Sequence, residues 1–350
     1  MEQLLFILGL GLVIATILYW SFRYLPGERW QILATVPVFK GENGQWRGVN
    51  LTWYGLLNAN ASTLGVAIMF VLMASLGVPT LATAAVAIGV LGVCMPAARI
   101  VATIIEKKKH TFTVGGAFFV GLFIAPLVVM SINALWGREA GFTIPVVAAL
   151  AAISICYTVG EGIGRLACIS FGCCYGKRLS DCSPTVQRIF KRWNFTFHGP
   201  IKKASYEGLA EGQPLVPIQG VTAILLSIAG LVGVWLFLQG WHAASLIFAV
   251  TVTQVWRLLS EFLRADFRGF GRISPYQKMA IIAVPYAWIV SFLLPEQQMP
   301  ASDISAGFAS LWDPFPILFM QGIWLAIFAF MGRSEVTTAV VSLQVCKERI

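Results

Sequence analysis

Apolar residues fill this chain in long blocks separated by short polar stretches. Nine blocks stand out, at 3–22, 52–76, 79–103, 112–135, 142–168, 216–239, 242–262, 277–294 and 314–331. Each is close to the roughly 20 residues that an α-helix needs to cross a bilayer. The third follows the second after only Gly77-Val78, which predicts a very tight reversal. Most blocks lack the period-2 alternation of a membrane β-barrel, so the pattern predicts an all-α polytopic membrane protein. The opening stretch MEQLLFILGLGLVIATILYW has neither a basic leader nor an A-x-A cleavage site, and it reads as a retained first helix.

Composition sharpens that picture. The chain is 57% hydrophobic and 12% charged, against about 25% charged residues in a soluble domain. The formal net charge of +9 would suit nucleic acid, but the bases lie in loops, where they set topology and meet anionic headgroups; no nucleic-acid partner is expected. Between the first two blocks lie Arg23, Arg29, Lys40 and Arg47, and between the third and fourth Lys107, Lys108 and Lys109. The segment 177–213, the one sizeable polar insert, holds Lys177, Arg178, Arg188, Lys191, Arg192, Lys202 and Lys203. After the seventh block come Arg264, Arg268, Arg272 and Lys278, and the tail has Arg333, Lys347 and Arg349. The alternate loops hold Arg138 alone. By the positive-inside rule the basic face is cytoplasmic, with the N-terminus outside and the C-terminus inside.

Charges within apolar helices are rare and mark candidate sites. Glu161 and Arg165 stand four apart and share a helix face. In RLLSEFLR, Arg257, Glu261 and Arg264 follow at spacings of four and three, again on one face. These charges either lock helices together as ion pairs or gather arginine forks around a phosphate, for which bidentate guanidinium geometry is suited. At that depth the phosphate would belong to a phospholipid. Seven residues on from Arg165 begins GCCYG, with Gly172 and Gly176 able to support a tight turn or close backbone approach. Cys173 and Cys174 have three readings: inert buried thiols, nucleophiles whose pKa is lowered beside Arg165, or ligands. Against the last, Cys168, Cys173, Cys174 and Cys182 lack familiar metal-site spacing and a nearby histidine. His110, His198 and His242 form no histidine–acid arrangement. The glycines of TVGGAFFVG read as helix-packing positions.

GRLACISFGCCYGK and WRLLSEFLRADFRG together resemble the prolipoprotein diacylglyceryl transferase family. That family carries Gly-Arg-Ile-Gly-Asn-Phe-x-Asn-Gly-Glu before a polar head, and later Phe-Arg-x-x-x-Glu-Phe-x-Arg. Arg165, Gly172 and Gly176 fall on the first signature; Arg257, Glu261, Phe262 and Arg264 fall on the second. LTWYGLL, which contains Tyr54, looks like the entry to the family's first core helix. GGAFFVG looks like its third, VPIQ with Gln219 like the start of its fifth, and ISPYQ like the lead into its last. The resemblance implies a seven-helix core at 46–295 with its head at 177–213, plus an extra helix in 1–45 and another in 296–350.

Family membership implies transfer of a diacylglyceryl group from phosphatidylglycerol to a cysteine thiol of a lipoprotein precursor, in the bacterial inner membrane and without a metal or soluble cofactor. Arg165 and Arg257 would hold the phosphate, with Glu261 and Arg264 orienting it. Tyr54, Gln219, Gly172 and Gly176 would line the substrate site. The family's asparagine is Cys168 here, its signature glutamate is Cys173, its helix histidine is Val120, and its Tyr-Glu is Val221-Thr222. The anion clamp is thus retained while proton-transfer groups are replaced, leaving Glu161 as a base from the neighbouring turn and Cys173 as a chemical thiol. A chain with the clamp but no base could instead bind lipid without reacting. The resemblance also places the basic face outward, opposite to the charge count.

Overall fold

The structure, a computed structural model, describes residues 1–107, 112–266, 273–294 and 301–350. Lys108, Lys109, His110, Arg268, Arg272 and residues 295–300 lie outside the described residues. Among those described, nine helices are long and apolar enough to cross a membrane. They are α1 (Glu2–Tyr24), α2 (Trp53–Ser75), α3 (Thr80–Glu106), α4 (Val114–Ile132), α5 (Val146–Phe171), α6 (Ile218–Leu238), α7 (His242–Ser260), α8 (Pro275–Leu293) and α9 (Pro314–Met331). Each coincides within a few residues with an apolar block of the sequence. α4 runs on through a π-helical turn at Asn133–Gly137.

Local chemistry sets the ends. Thr52 caps α2 by accepting from the Gly55 N–H, and Thr113 does the same for α4 from Gly116. Ser274 and Gln277 form a reciprocal capping box at the start of α8. The tight reversal between α2 and α3 is made by Gly77 in the left-handed region, at φ 76°. α5 is the central helix, packed by α2, α6 and α7. Its small residues permit this: Ala148, Ala149, Ala151 and Ala152 are all fully or nearly buried.

Helices do not account for everything on the basic face. Strands β1 (Ile32–Lys40), β2 (Trp46–Thr52) and β5 (Arg333–Val341) form an antiparallel sheet in the order β1-β2-β5. Their β-branched residues suit a pleated surface, but hydropathy read them as loop and tail. Asn50 fixes all three strands, accepting from Thr35 Oγ1 at 2.7 Å and donating to Thr337 Oγ1 at 3.1 Å. The head also carries a two-stranded pair, β3 (Phe195–Thr196) with β4 (Pro214–Leu215).

Lys202, counted from sequence among the loop bases, is completely buried and serves as a pin. Its Nζ donates to the carbonyls of Leu25 at 3.0 Å and Ser170 at 2.5 Å, at the ends of α1 and α5. Burial pulls its ammonium down to about 7.

The tail joins the bundle where α9 ends. Thr52 donates through its backbone N–H and its Oγ1 to the Gly332 carbonyl, at 2.9 and 3.0 Å. Gly55 lies so close that a Cβ there would overlap the Gly332 backbone. Gly55→Ala is therefore expected to lower stability by about 1–3 kcal/mol through overpacking, while Gly92→Ala, with open space around it, is neutral. Unfolding of the two variants in detergent checks this; equal stability would contradict the close junction.

Candidate functional site

The charged residues of α5 and α7 meet on one carboxylate. Arg257 Nη2 donates to Glu161 Oε1 at 2.6 Å and to the Tyr157 hydroxyl at 2.7 Å. Arg165 Nη2 donates to the same Glu161 Oε1, and Tyr157 donates its hydroxyl proton to Oε2. Arg257 and Glu161 are each 8% exposed. Two guanidinium groups share one carboxylate, which leaves one surplus positive charge. The Nε atoms of Arg165 and Arg257 are also buried without a partner. Buried unpaired donors are rare and cost about 1–3 kcal/mol each, so both guanidiniums retain capacity for an anion.

Neighbouring elements hold this cluster. On α4, Gly115 leaves room for the Arg257 guanidinium, into which any Cβ would intrude. Phe118 stacks on Tyr157 with ring centroids 4.2 Å apart. Tyr157 was absent from the sequence candidates, although it stands four residues before Glu161 on the same helix face.

The other sequence candidates are distributed around this centre. Arg257 pairs with Glu161 rather than with Glu261 of its own stretch; the half-buried Glu261 accepts from Ser274 Oγ. Arg264 makes a two-pronged pair with Asp266, both bonds 2.8 Å. Arg165, Arg257, Glu261, Arg264, Gln219 and Cys174 line a common cleft. Gln219 donates to the Cys173 carbonyl at 3.0 Å, while its buried Oε1 has no partner. Tyr54, edge-on to Phe171, lines a second space described below.

Gly172 and Gly176 shape the chain rather than line the cleft. Gly172 ends α5 at φ 74°, a left-handed cap that glycine adopts readily. Gly176 lies where a Cβ would strike the Val216 carbonyl, and the backbone there bridges to Arg264. This reversal gathers Cys168, Cys173 and Cys174, whose sulfurs all lie within 4.8 Å of one another. Of the readings open for Cys173, the lowered thiol pKa finds no support in its surroundings. Hydrogen bonding with the Cys168 and Cys174 thiols, followed by burial, pushes the Cys173 thiol well up. Cys182 sits apart, bonded to the Arg178 carbonyl.

The second space is an apolar chamber of about 270 Å³. Val66, Met69, Val86, Leu91, Phe118 and Leu122 supply much of its wall, from α2, α3 and α4. At one end it reaches Tyr54, Glu161, Arg165 and Cys168. Glu161 and Arg165 line both spaces, so a greasy chamber and a cationic cleft meet at one ion pair.

These features define a multi-pass helical membrane protein in which a buried cationic cluster borders an apolar chamber. A family model described as prolipoprotein diacylglyceryl transferase matches residues 45–293, and the chain belongs to that family. No curated protein matches the chain in a sequence search.

Removing the shared carboxylate exposes the guanidiniums to each other. Glu161→Gln is expected to lower stability by about 3–5 kcal/mol, the usual consequence of breaking a buried pair. Glu161→Gln combined with Arg257→Met is expected to recover much of that loss. Denaturant unfolding in detergent reads both; a single variant as stable as the parent would show that Glu161 is not the hub.

Proposed function

We propose that the protein transfers a diacylglyceryl group from phosphatidylglycerol to a thiol, the acceptor being the cysteine of a lipoprotein precursor. The observation carrying this reading is the junction of the apolar chamber with Arg165 and Arg257. A phospholipid matches both halves, with acyl chains entering the chamber and the phosphate satisfying the unpartnered Nε donors. In transfer, the acceptor sulfur forms a bond to the glycerol carbon as that carbon's bond to the phosphate oxygen breaks. The departing glycerol phosphate gains negative charge beside two guanidiniums, which stabilise it as it forms.

The groups that replace the family's asparagine, glutamate and histidine favour one competing reading. Cys168, Cys173 and Val120 offer no ready base, so a lipid-binding protein without transfer is the alternative. Membranes supplied with labelled phosphatidylglycerol and a cysteine-bearing precursor peptide decide between them. Transfer of label to the peptide is expected. Arg257→Ala should reduce it by about 10²–10³-fold, and Arg257→Lys should fall well short of rescue because the fork is lost. Bound lipid with no transfer would favour the alternative, and unchanged turnover in Arg257→Ala would overturn the clamp.

The site is further proposed to face outward across a bacterial inner membrane, where precursors emerge. In a Cys346→Ser background, Ser180→Cys in the exposed head should react with an impermeant thiol reagent in intact spheroplasts. Labelling only after lysis would place the basic face in the cytoplasm, as the charge count does.

A further inference from the structure

Cys168, Cys173 and Cys174 are absent from the ion-pair cluster, yet two of them line the cleft and the chamber. Cys174 lines the arginine cleft and Cys168 lines the apolar chamber. None of the seven cysteines forms a disulfide. Three sulfurs bound to one Zn²⁺ at about 2.3 Å lie roughly 4 Å from one another, and here all three fall within 4.8 Å. Two left-handed residues produce that convergence, Gly172 at φ 74° and Cys174 at φ 53°. The turn is pinned from outside by Gln219, whose amide holds the Cys173 carbonyl.

Cationic side chains stand close to these sulfurs. Arg165 and Arg264 lie within electrostatic reach of Cys168 and Cys174, and Lys203 within reach of Cys173 and Cys174. Three thiolates with a divalent cation carry one net negative charge, which the single surplus positive charge of the Arg165, Arg257 and Glu161 cluster offsets, Arg264 and Lys203 being paired already with Asp266 and Glu207. Sulfur donors select soft cations over Mg²⁺ or Ca²⁺. Three protein ligands with a fourth position open is also the pattern of reactive rather than structural zinc sites.

We propose that Cys168, Cys173 and Cys174 form a three-thiolate site for one thiophilic cation of the Zn²⁺ type, whose open position receives the acceptor thiol. The second half of this rests on the transfer reading above. A thiol joining such an ion gives up its proton to solvent. Its sulfur then holds the electron pair that forms the new bond to carbon, while the pair of the broken carbon–oxygen bond leaves with the glycerol phosphate. The cation thereby supplies the activation that the family's replaced polar groups no longer give.

The test uses the purified full-length chain in detergent, reduced and kept anaerobic. Titration with Cd²⁺ should produce a sulfur-to-metal charge-transfer absorption that saturates at one ion per chain and is displaced by Zn²⁺. Cys173→Ser or Cys174→Ser should weaken binding by at least about tenfold, since loss of a group that merely supports a ligand does as much. Cys94→Ser with Cys156→Ser should leave it intact. On the unsubstituted chain, bound Zn²⁺ should protect Cys173 and Cys174 from alkylation while Cys346 still reacts, a readout that needs no variant to fold. No charge-transfer band, or alkylation of Cys173 and Cys174 unchanged by Zn²⁺, would overturn the site. Binding followed by no lipid transfer would count against the proposed function and leave the metal site standing.

Discussion

A carboxylate buried among membrane helices must be matched, and the matching of Glu161 fixes the heart of this molecule. An uncompensated charge at such depth is costly enough to neutralise the group or distort the bundle. Arg165 answers from the same helix, one turn on. Arg257 answers from α7 and reaches Glu161 because α4 presents Gly115 where a side chain would obstruct the guanidinium. Tyr157 closes the carboxylate's second oxygen and is held flat by Phe118. One carboxylate thus ties α5 to α7, and α4 packs against the pair.

The same matching is deliberately incomplete in its charge. Two cations share one anion, and two buried Nε–H groups lack partners. Such a cluster both ties α5 to α7 and keeps capacity for an anion. The cluster borders an apolar chamber, and on the proposed reading that pairing suits an anion with hydrocarbon attached. The left-handed turn after α5 gathers three sulfurs beside the cleft.

Much of the fold was legible because a membrane imposes a coarse rule: about 20 apolar residues make a span. The boundaries of α1 through α9 follow from it. The Glu161–Arg165 pair was equally legible, being a contact within one helix. Arg257 was recognised as important but grouped with Glu261, its neighbour in sequence, because which carboxylate it meets depends on how α5 and α7 pack. The sheet escaped because β1 and β5 are distant in sequence and neither resembles a span. Lys202 looked like any loop base until its position between two helix ends was visible. The three-sulfur cluster was hidden for a different reason. A spacing of five residues and then one matches no familiar ligand pattern, and only the positive φ values at Gly172 and Cys174 bring the sulfurs together.

The most direct measurement is an experimental map of the protein in nanodiscs containing phosphatidylglycerol. The account predicts headgroup density with its phosphorus within hydrogen-bonding reach of both Arg165 and Arg257, and acyl density continuing past Phe118 and Met69 into the chamber. A lipid bound elsewhere, with side chains filling the chamber and the two guanidiniums turned away from each other, would contradict it.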